Sequence, residues 1–338
     1  MKAFRVVVTG FVALVAVLGG CSKDSSTSNP AGPGTTTPAL SGSWTVINGA
    51  NDRVHMVFKS DNTYAFLDKY AYGLRAVESG VYQVDGSTVD FGNSQQPSIF
   101  SFSIRNDTLT LYNPQQVVVS YRNASAPSDT QWVKRAAILD SIIAPTRDPT
   151  DIAINGNTLW YGNTYDANHL YKIDLTNRTV DSSLTVSVSA WALEWDGTNL
   201  WASDDGSGSV YKINTTTGAT TFTSKTMGAW IEGIAWDGTA LWCSSWNEES
   251  LYRYNPATDA VLTTLPLGGQ PSGLAYAGGY LFVVVNGVIN KCTPAPFAVA
   301  AAYSLKGLDI LGIAFDGANF WITGSSNTEA KIYKVALQ

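Results

Sequence analysis

The sequence predicts an all-β chain: a small meander barrel followed by a five-bladed β-propeller closed by an outer strand from its own N-terminal side. Three observations carry that reading. A phrase of about forty residues recurs five times after Asp151, its aromatic anchor falling at Trp160, Trp201, Trp242, Phe282 and Trp321. The resulting period of 41, 41, 40 and 39 residues is the spacing of four-stranded blades. Between Leu40 and Asn123, short alternating apolar runs separated by Asp-Gly and Asn-Asp turns read as about eight strands. Charged residues make up only 14% of the 338-residue chain, aromatics reach 12% and glycines number 30, which suits an extracytoplasmic protein rich in turns. The net charge of −6 comes without a basic patch, excluding nucleic acid as a partner.

The first twenty residues stand apart from the fold. Lys2 and Arg5 precede an apolar run, Val6 to Leu18, that is too short to span a bilayer as a helix. It ends Leu18-Gly19-Gly20-Cys21, which resembles a bacterial lipobox. That resemblance implies lipidation of Cys21, which would become the mature amino terminus. Ser22 to Ala39 holds no apolar residue larger than alanine and reads as a disordered tether. Ser22 resembles the residue that directs sorting to the outer membrane, and Lys23-Asp24 resembles a surface-export signal. The expected location is therefore the bacterial cell envelope, lipid-anchored, at the outer membrane. The expected organisation is signal peptide 1–20, tether 21–39, barrel 40–123, linker 124–131 and propeller 132–338.

Within the barrel, Gly42-Ser43-Trp44, then Phe58…Asp61-Asn62-Thr63-Tyr64, then Gly80-Val81-Tyr82 resemble successive phrases of bacterial lipocalin-like domains. That resemblance implies a cation–π contact between Arg122, at the end of the last strand, and the tryptophan face. Eight strands leave room for side chains or one small ligand, and a filled spacer is the favoured expectation.

Each repeat parses as an inner strand (Gly233-Ile234-Ala235-Trp236), an Asp-Gly turn, Leu-Trp-x-Ser, a variable loop, Leu-Tyr-Lys-Ile and an outer strand. The last repeat lacks an outer strand, while Arg135 to Ile143 is an outer strand without a blade; pairing the two closes the ring. The pattern is similar to NHL-like propellers. Leu170-Tyr171-Lys172-Ile173-Asp174 and Leu200-Trp201-Ala202-Ser203-Asp204-Asp205-Gly206 look like phrases of the glutaminyl cyclotransferases. The Phe-Thr-Gln-Gly-Leu signature of that family is replaced here by Asp148-Pro149-Thr150-Asp151-Ile152.

Most repeated residues have structural tasks. The tryptophan column packs between blades, and Asp196, Asp237 and Asp316 bond their own turns. Departures from the repeat are more informative. Glu194 stands in a column otherwise filled by Ala153, Ala235, Ala275 and Ala314, where a carboxylate must be paired or face the channel. The loops into the inner strands and those joining the second and third strands emerge on one face. They carry Asp148, Trp191, Trp230, Glu232, Asp204, Asp205, Trp246 and Asn247, a mixture that suits a glycan, a peptide or protein partner, or calcium. Glu194 and Glu232 are the candidate acid and base. Only His55 and His169 exist, in different domains, so neither a histidine-rich zinc site nor a Ser-His triad is written here. Cys243 and Cys292 are expected as buried thiols. The leading expectation is a non-enzymatic binding or scaffold lipoprotein; the alternative is a propeller enzyme acting on a glycan or peptide terminus.

Overall fold

The computed structural model describes residues 40–46, 55–91, 99–114, 117–122, 133–147, 149–163, 168–204, 206–305, 308–325 and 330–337. Cys21, with the expected signal peptide, tether and linker, lies outside them. Among the described residues the regular secondary structure is strand, apart from one turn of 3-10 helix at Ala71–Gly73.

Nine strands form the first sheet structure: β1 (Gly42–Val46), β2 (His55–Phe58), β3 (Thr63–Lys69), β4 (Arg75–Val81), β5 (Gln83–Asp85), β6 (Thr88–Asp90), β7 (Ile99–Arg105), β8 (Thr108–Tyr112) and β9 (Val117–Arg122). Successive strands pair antiparallel except β4 and β5, and β1 pairs with β9. The two edges, β4 and β5, are one continuous path bent at Tyr82, so the meander closes on itself. The sequence suggested a strand at 80–84; its alternation conceals that this stretch is the bend, fixed where the Tyr82 N–H donates to the Asn62 carbonyl at 2.8 Å.

The enclosed space is filled. Trp44, Phe58, Tyr64, Phe66, Phe91 and Phe100 are buried together, with Phe58–Tyr82 and Phe66–Phe91 edge-to-face at 5.4 Å. Such pairs add about 0.5–1.5 kcal/mol each to the area they bury. The Arg122 guanidinium stands 4.3 Å over the Trp44 ring and donates to the Ser41 carbonyl at 3.0 Å. Gly42 permits this: its φ is +138°, and a Cβ there would lie 2.5 Å from the arginine Nη1.

The chain continues through β10 (Lys134–Arg135) and β11 (Ala137–Ile143) into five sheets. The first holds β12 (Pro149–Asn155), β13 (Thr158–Asn163), β14 (His169–Asp174) and β15 (Thr179–Thr185). The second holds β16 (Leu193–Trp195), β17 (Leu200–Ser203), β18 (Val210–Ile213) and β19 (Thr220–Thr223). β20 (Ile231–Trp236), β21 (Leu241–Ser245), β22 (Ser250–Asn255) and β23 (Ala260–Pro266) make the third. β24 (Pro271–Ala277), β25 (Tyr280–Val285), β26 (Val288–Pro294) and β27 (Phe297–Ser304) make the fourth, with β10 added parallel to β27. The fifth has β28 (Asp309–Phe315), β29 (Phe320–Ser325) and β30 (Lys331–Ala336), with β11 as its outer strand.

The segment expected as one outer strand from Arg135 is thus divided at Ala136. That residue is buried and its N–H bonds the Ser304 carbonyl at 2.9 Å, so β10 stays with the fourth sheet and β11 crosses to the fifth.

The inner strands meet in the cycle β12, β16, β20, β24, β28 and back to β12, which is β-propeller-like. Burial follows the same cycle: Trp160 packs with Leu193 and Leu200, Trp201 with Ile234, Trp242 with Leu274, Phe282 with Ile313, and Trp321 with Ile152. Because inner strands of neighbouring sheets are not paired to each other, side chains must satisfy their carbonyls and N–H groups. Ser203 Oγ donates to the Ile231 carbonyl and Ser244 Oγ to that of Ser272. Thr323 Oγ1 donates to the Thr150 carbonyl at 3.3 Å, across the point of closure.

The barrel docks on the fourth sheet through the segment joining β3 to β4. Leu74 is fully buried among Leu251, Leu267, Leu274 and Val283. The Asn290 side chain accepts from the Arg75 N–H at 2.8 Å and donates to its carbonyl at 3.1 Å, imitating a strand partner. Asn286 donates to the Tyr70 hydroxyl at 2.8 Å.

Candidate functional site: a tryptophan rim and two central carboxylates

The loops into the inner strands and those after the second strands adjoin, as two backbone bonds show: Trp191 N–H to the Ser203 carbonyl, and Trp246 N–H to the Trp230 carbonyl, both at 3.0 Å. In the third sheet this brings Trp230 and Trp246 into a stack with centroids 6.1 Å apart and planes 27° from parallel. Both rings are half-buried, and Asn247 beside them is exposed. Trp230 has a φ of +56°, a conformation bulky residues avoid at a cost of about 1–3 kcal/mol.

Glu248 holds that conformation in place. Its carboxylate accepts from the Ala229 N–H at 3.2 Å and from the Tyr252 hydroxyl, pinning the 228–230 loop. Burial, then the Glu248 carboxylate, pushes the Tyr252 phenol well above its usual range.

The other rim candidates divide. Trp191 is half-buried and donates from Nε1 to Ser189 Oγ at 3.1 Å. Asp204 is a loop brace, not a free ligand: it accepts from the Ser207 N–H and the Tyr211 hydroxyl, both at 3.2 Å. Glu232 is 9% exposed, at the bulge where β20 loses register with β21. Asp148 and Asp205 lie outside the described residues. His169 bonds Thr185 Oγ1 at 3.0 Å. Among the described residues no group of three His, Cys, Asp or Glu side chains is arranged to hold a metal ion. Cys243 and Cys292 are buried free thiols; burial pushes Cys292 up to about 12.

The centre of the ring holds two acids. Asp151 on β12 is fully buried, and its carboxylate accepts from the Leu193 N–H at 3.1 Å and the Ile313 N–H at 3.2 Å. One side chain therefore joins the inner strands of the fifth, first and second sheets. Desolvation raises its carboxyl well above the usual range against the opposing pull of those backbone bonds. Glu194 on β16 is raised in the same direction, first by desolvation and then by the Asp151 charge, while the Trp236 N–H bonds its charged form. Both carboxyls accept hydrogen bonds from backbone N–H groups. Glu194 stood out in the sequence because four alanines share its column. Asp151 escaped notice, although its own column reads Asp151, Ala192, Gly233, Gly273 and Gly312. The crowding explains that column: a Cβ on Gly312 would lie 2.5 Å from Asp151 Oδ1.

On the opposite face the repeated aspartates do more than brace turns. Asp196, Asp237 and Asp316 each accept the indole N–H of their own sheet's tryptophan, at 2.7, 3.2 and 2.9 Å. Lys212 lies over Trp201, Arg253 over Trp242 and Lys334 over Trp321. Burial pushes these three carboxyls up, but hydrogen bonds from turn, indole and the Arg253 or Lys334 side chains prevail and leave them lowered.

No protein-family profile and no curated protein sequence matches this chain. Among solved structures, the Myxococcus xanthus glutaminyl cyclase superposes with a TM-score of 0.52 at 14% identity, covering 60% of this chain and 96% of that one. A Kuenenia stuttgartiensis hydrazine synthase chain matches at 15% identity over 55% and 58% of the two chains, with a TM-score of 0.40. A chain of the mitotic checkpoint complex matches at 14% identity over 96% and 99%, with a TM-score of 0.39. The first of these likenesses supports a β-propeller fold.

Proposed function

We propose that the five sheets are the blades of a five-bladed propeller, carried on a lipocalin-like barrel and a Cys21 lipid anchor at the bacterial outer membrane. In this reading the protein is a binding or scaffold lipoprotein whose tryptophan rim takes a glycan, a peptide or a protein partner. The observation that carries it is the Trp230–Trp246 stack, with Trp230 held at positive φ by its loop. Strain of that kind persists where the surroundings enforce it, and it marks binding sites. Calcium held by loop oxygens is the other occupant this reading admits. The test is a thermal-shift screen of the purified protein against glycans, peptides and calcium. A ligand whose stabilisation disappears in Trp230→Ala supports the rim; stabilisation untouched there and lost on changing the barrel overturns it.

A second reading is favoured by one observation, the raised carboxyl of Glu194 beside Asp151. A carboxylic acid held in its protonated form serves as a general acid, and the fold is similar to that of a solved glutaminyl cyclase. This reading is an enzyme acting on a glycan or peptide terminus. Turnover of a peptide with amino-terminal glutamine, abolished in folded Glu194→Gln, supports it; unchanged turnover in that variant removes Glu194 from the chemistry.

A further inference from the structure

The first sheet breaks the arrangement that closes the opposite face elsewhere. In the second, third and fifth sheets, an aspartate at the turn takes the indole N–H and a basic residue covers the ring. The fourth sheet has Ala277 and Phe282 at those places, and a phenyl ring needs no acceptor. Only the first sheet keeps the tryptophan, Trp160, while losing the acid, which is Asn155. Among the described residues neither a hydrogen bond from the Trp160 indole nor a contact of Lys172 with its ring is formed. Lys172 acts electrostatically on Asp174, whose carboxylate is already bonded to Asn157 Nδ2 and two backbone N–H groups.

The two groups border a cleft of about 460 Å³ between the first and second sheets, within the size range of small-molecule sites. Its far wall is the half-buried Trp195 ring, and its sides are hydroxyls: Ser182, Ser183, Thr215 and Thr216. Leu184 is its single aliphatic residue. An aromatic face, an indole N–H, an amide, several hydroxyls and one ammonium in a wet cleft match a sugar ring bearing a carboxylate. The hydroxyls and amide meet the sugar hydroxyls, the ring stacks on Trp195, and Lys172 meets the charge. A phosphate-rich ligand calls for more than one cation, and an apolar ligand for more than one aliphatic contact.

We infer that this cleft, on the side of the ring away from the tryptophan rim, is a second binding site, selective for an acidic saccharide. The inference does not rest on the rim reading.

The test is isothermal titration of the full protein with glucuronate and galacturonate and their oligomers, beside glucose, galactose and acetate. Uronates should bind, with affinity falling at least about tenfold in Lys172→Ala and in Trp195→Ala, while Trp230→Ala binds as the parent. Lys172→Arg should keep the charge and recover part of the affinity. Thermal midpoints of all variants identify any that have lost their fold, and the Lys172 pair, at a half-buried surface position, keeps the test readable if Trp195→Ala unfolds. Equal binding of neutral sugars, binding of acetate alone, no binding of uronates, or uronate binding that survives Lys172→Ala would each overturn it.

Discussion

The barrel and the ring close a β-structure in different ways, and the contents of their centres follow from that. In the barrel, β1 hydrogen-bonds to β9 and the two edges, β4 and β5, run on from each other at Tyr82, so the strands enclose an interior that fills with Phe58, Phe66, Phe91 and Phe100. The ring closes by packing sheets side by side. Its inner strands keep an edge without a strand partner, and polar side chains must supply what a neighbouring strand would have given. Asp151, Ser203, Ser244 and Thr323 do so. A carboxylate at the heart of this protein is therefore first a consequence of the mode of closure. Asp151 is committed in that way, and Glu194 takes hydrogen bonds from the Trp236 and Trp195 backbone in the same manner.

Three measurements sharpen this contrast. The largest effect should come from emptying the barrel: Phe91→Ala should lower stability by about 3–5 kcal/mol in urea unfolding, the cost of a cavity in an aromatic core. Next is Asp151→Ala, which leaves the Leu193 and Ile313 N–H groups buried without an acceptor. At about 1–3 kcal/mol for each buried donor, the variant should lose several kcal/mol, and a loss below the lower figure would mean that Asp151 does not hold the ring. The smallest effect has the opposite sign. Glu194 has a folded-state pKa raised above its unfolded value, so ionising it opposes folding. That penalty is absent below the unfolded pKa of about 4.3 and grows as pH rises toward the folded value. Glu194→Gln should match the parent near pH 4 and become the more stable of the two as pH rises toward the raised folded-state value. Equal pH profiles of urea midpoints would contradict a raised carboxyl at this half-buried position.

Much of the ring was legible in the sequence because a repeat supplies its own reference. Trp160, Trp201, Trp242, Phe282 and Trp321 announce the period, β11 pairs with β30 as the missing outer strand suggested, and Glu194 is conspicuous against alanines. The hidden parts depend on partners distant in sequence. Tyr70, Leu74 and Arg75 look like an ordinary connection, yet they meet Asn286, Leu274 and Asn290 about two hundred residues later. The surroundings of Asp204 and Glu232 were equally hidden: Tyr211 and Ser207 bond the first, and the second is buried at a bulge. Spacing shows which residues share a column, not which groups are already bonded.

The pairing of β11 with β30 also sets an order of events. Ile143 faces Lys331 in that ladder, so the ribosome releases one side of the seam long before the other exists. Until then β11 is a strand edge carrying Ile138, Leu139 and Ile143, side chains that stay exposed even in the finished ring. Such edges recruit other chains. The strand that begins at Lys331 thus acts as a clasp: a chain cut short before it would have four sheets in order and an open, adhesive end.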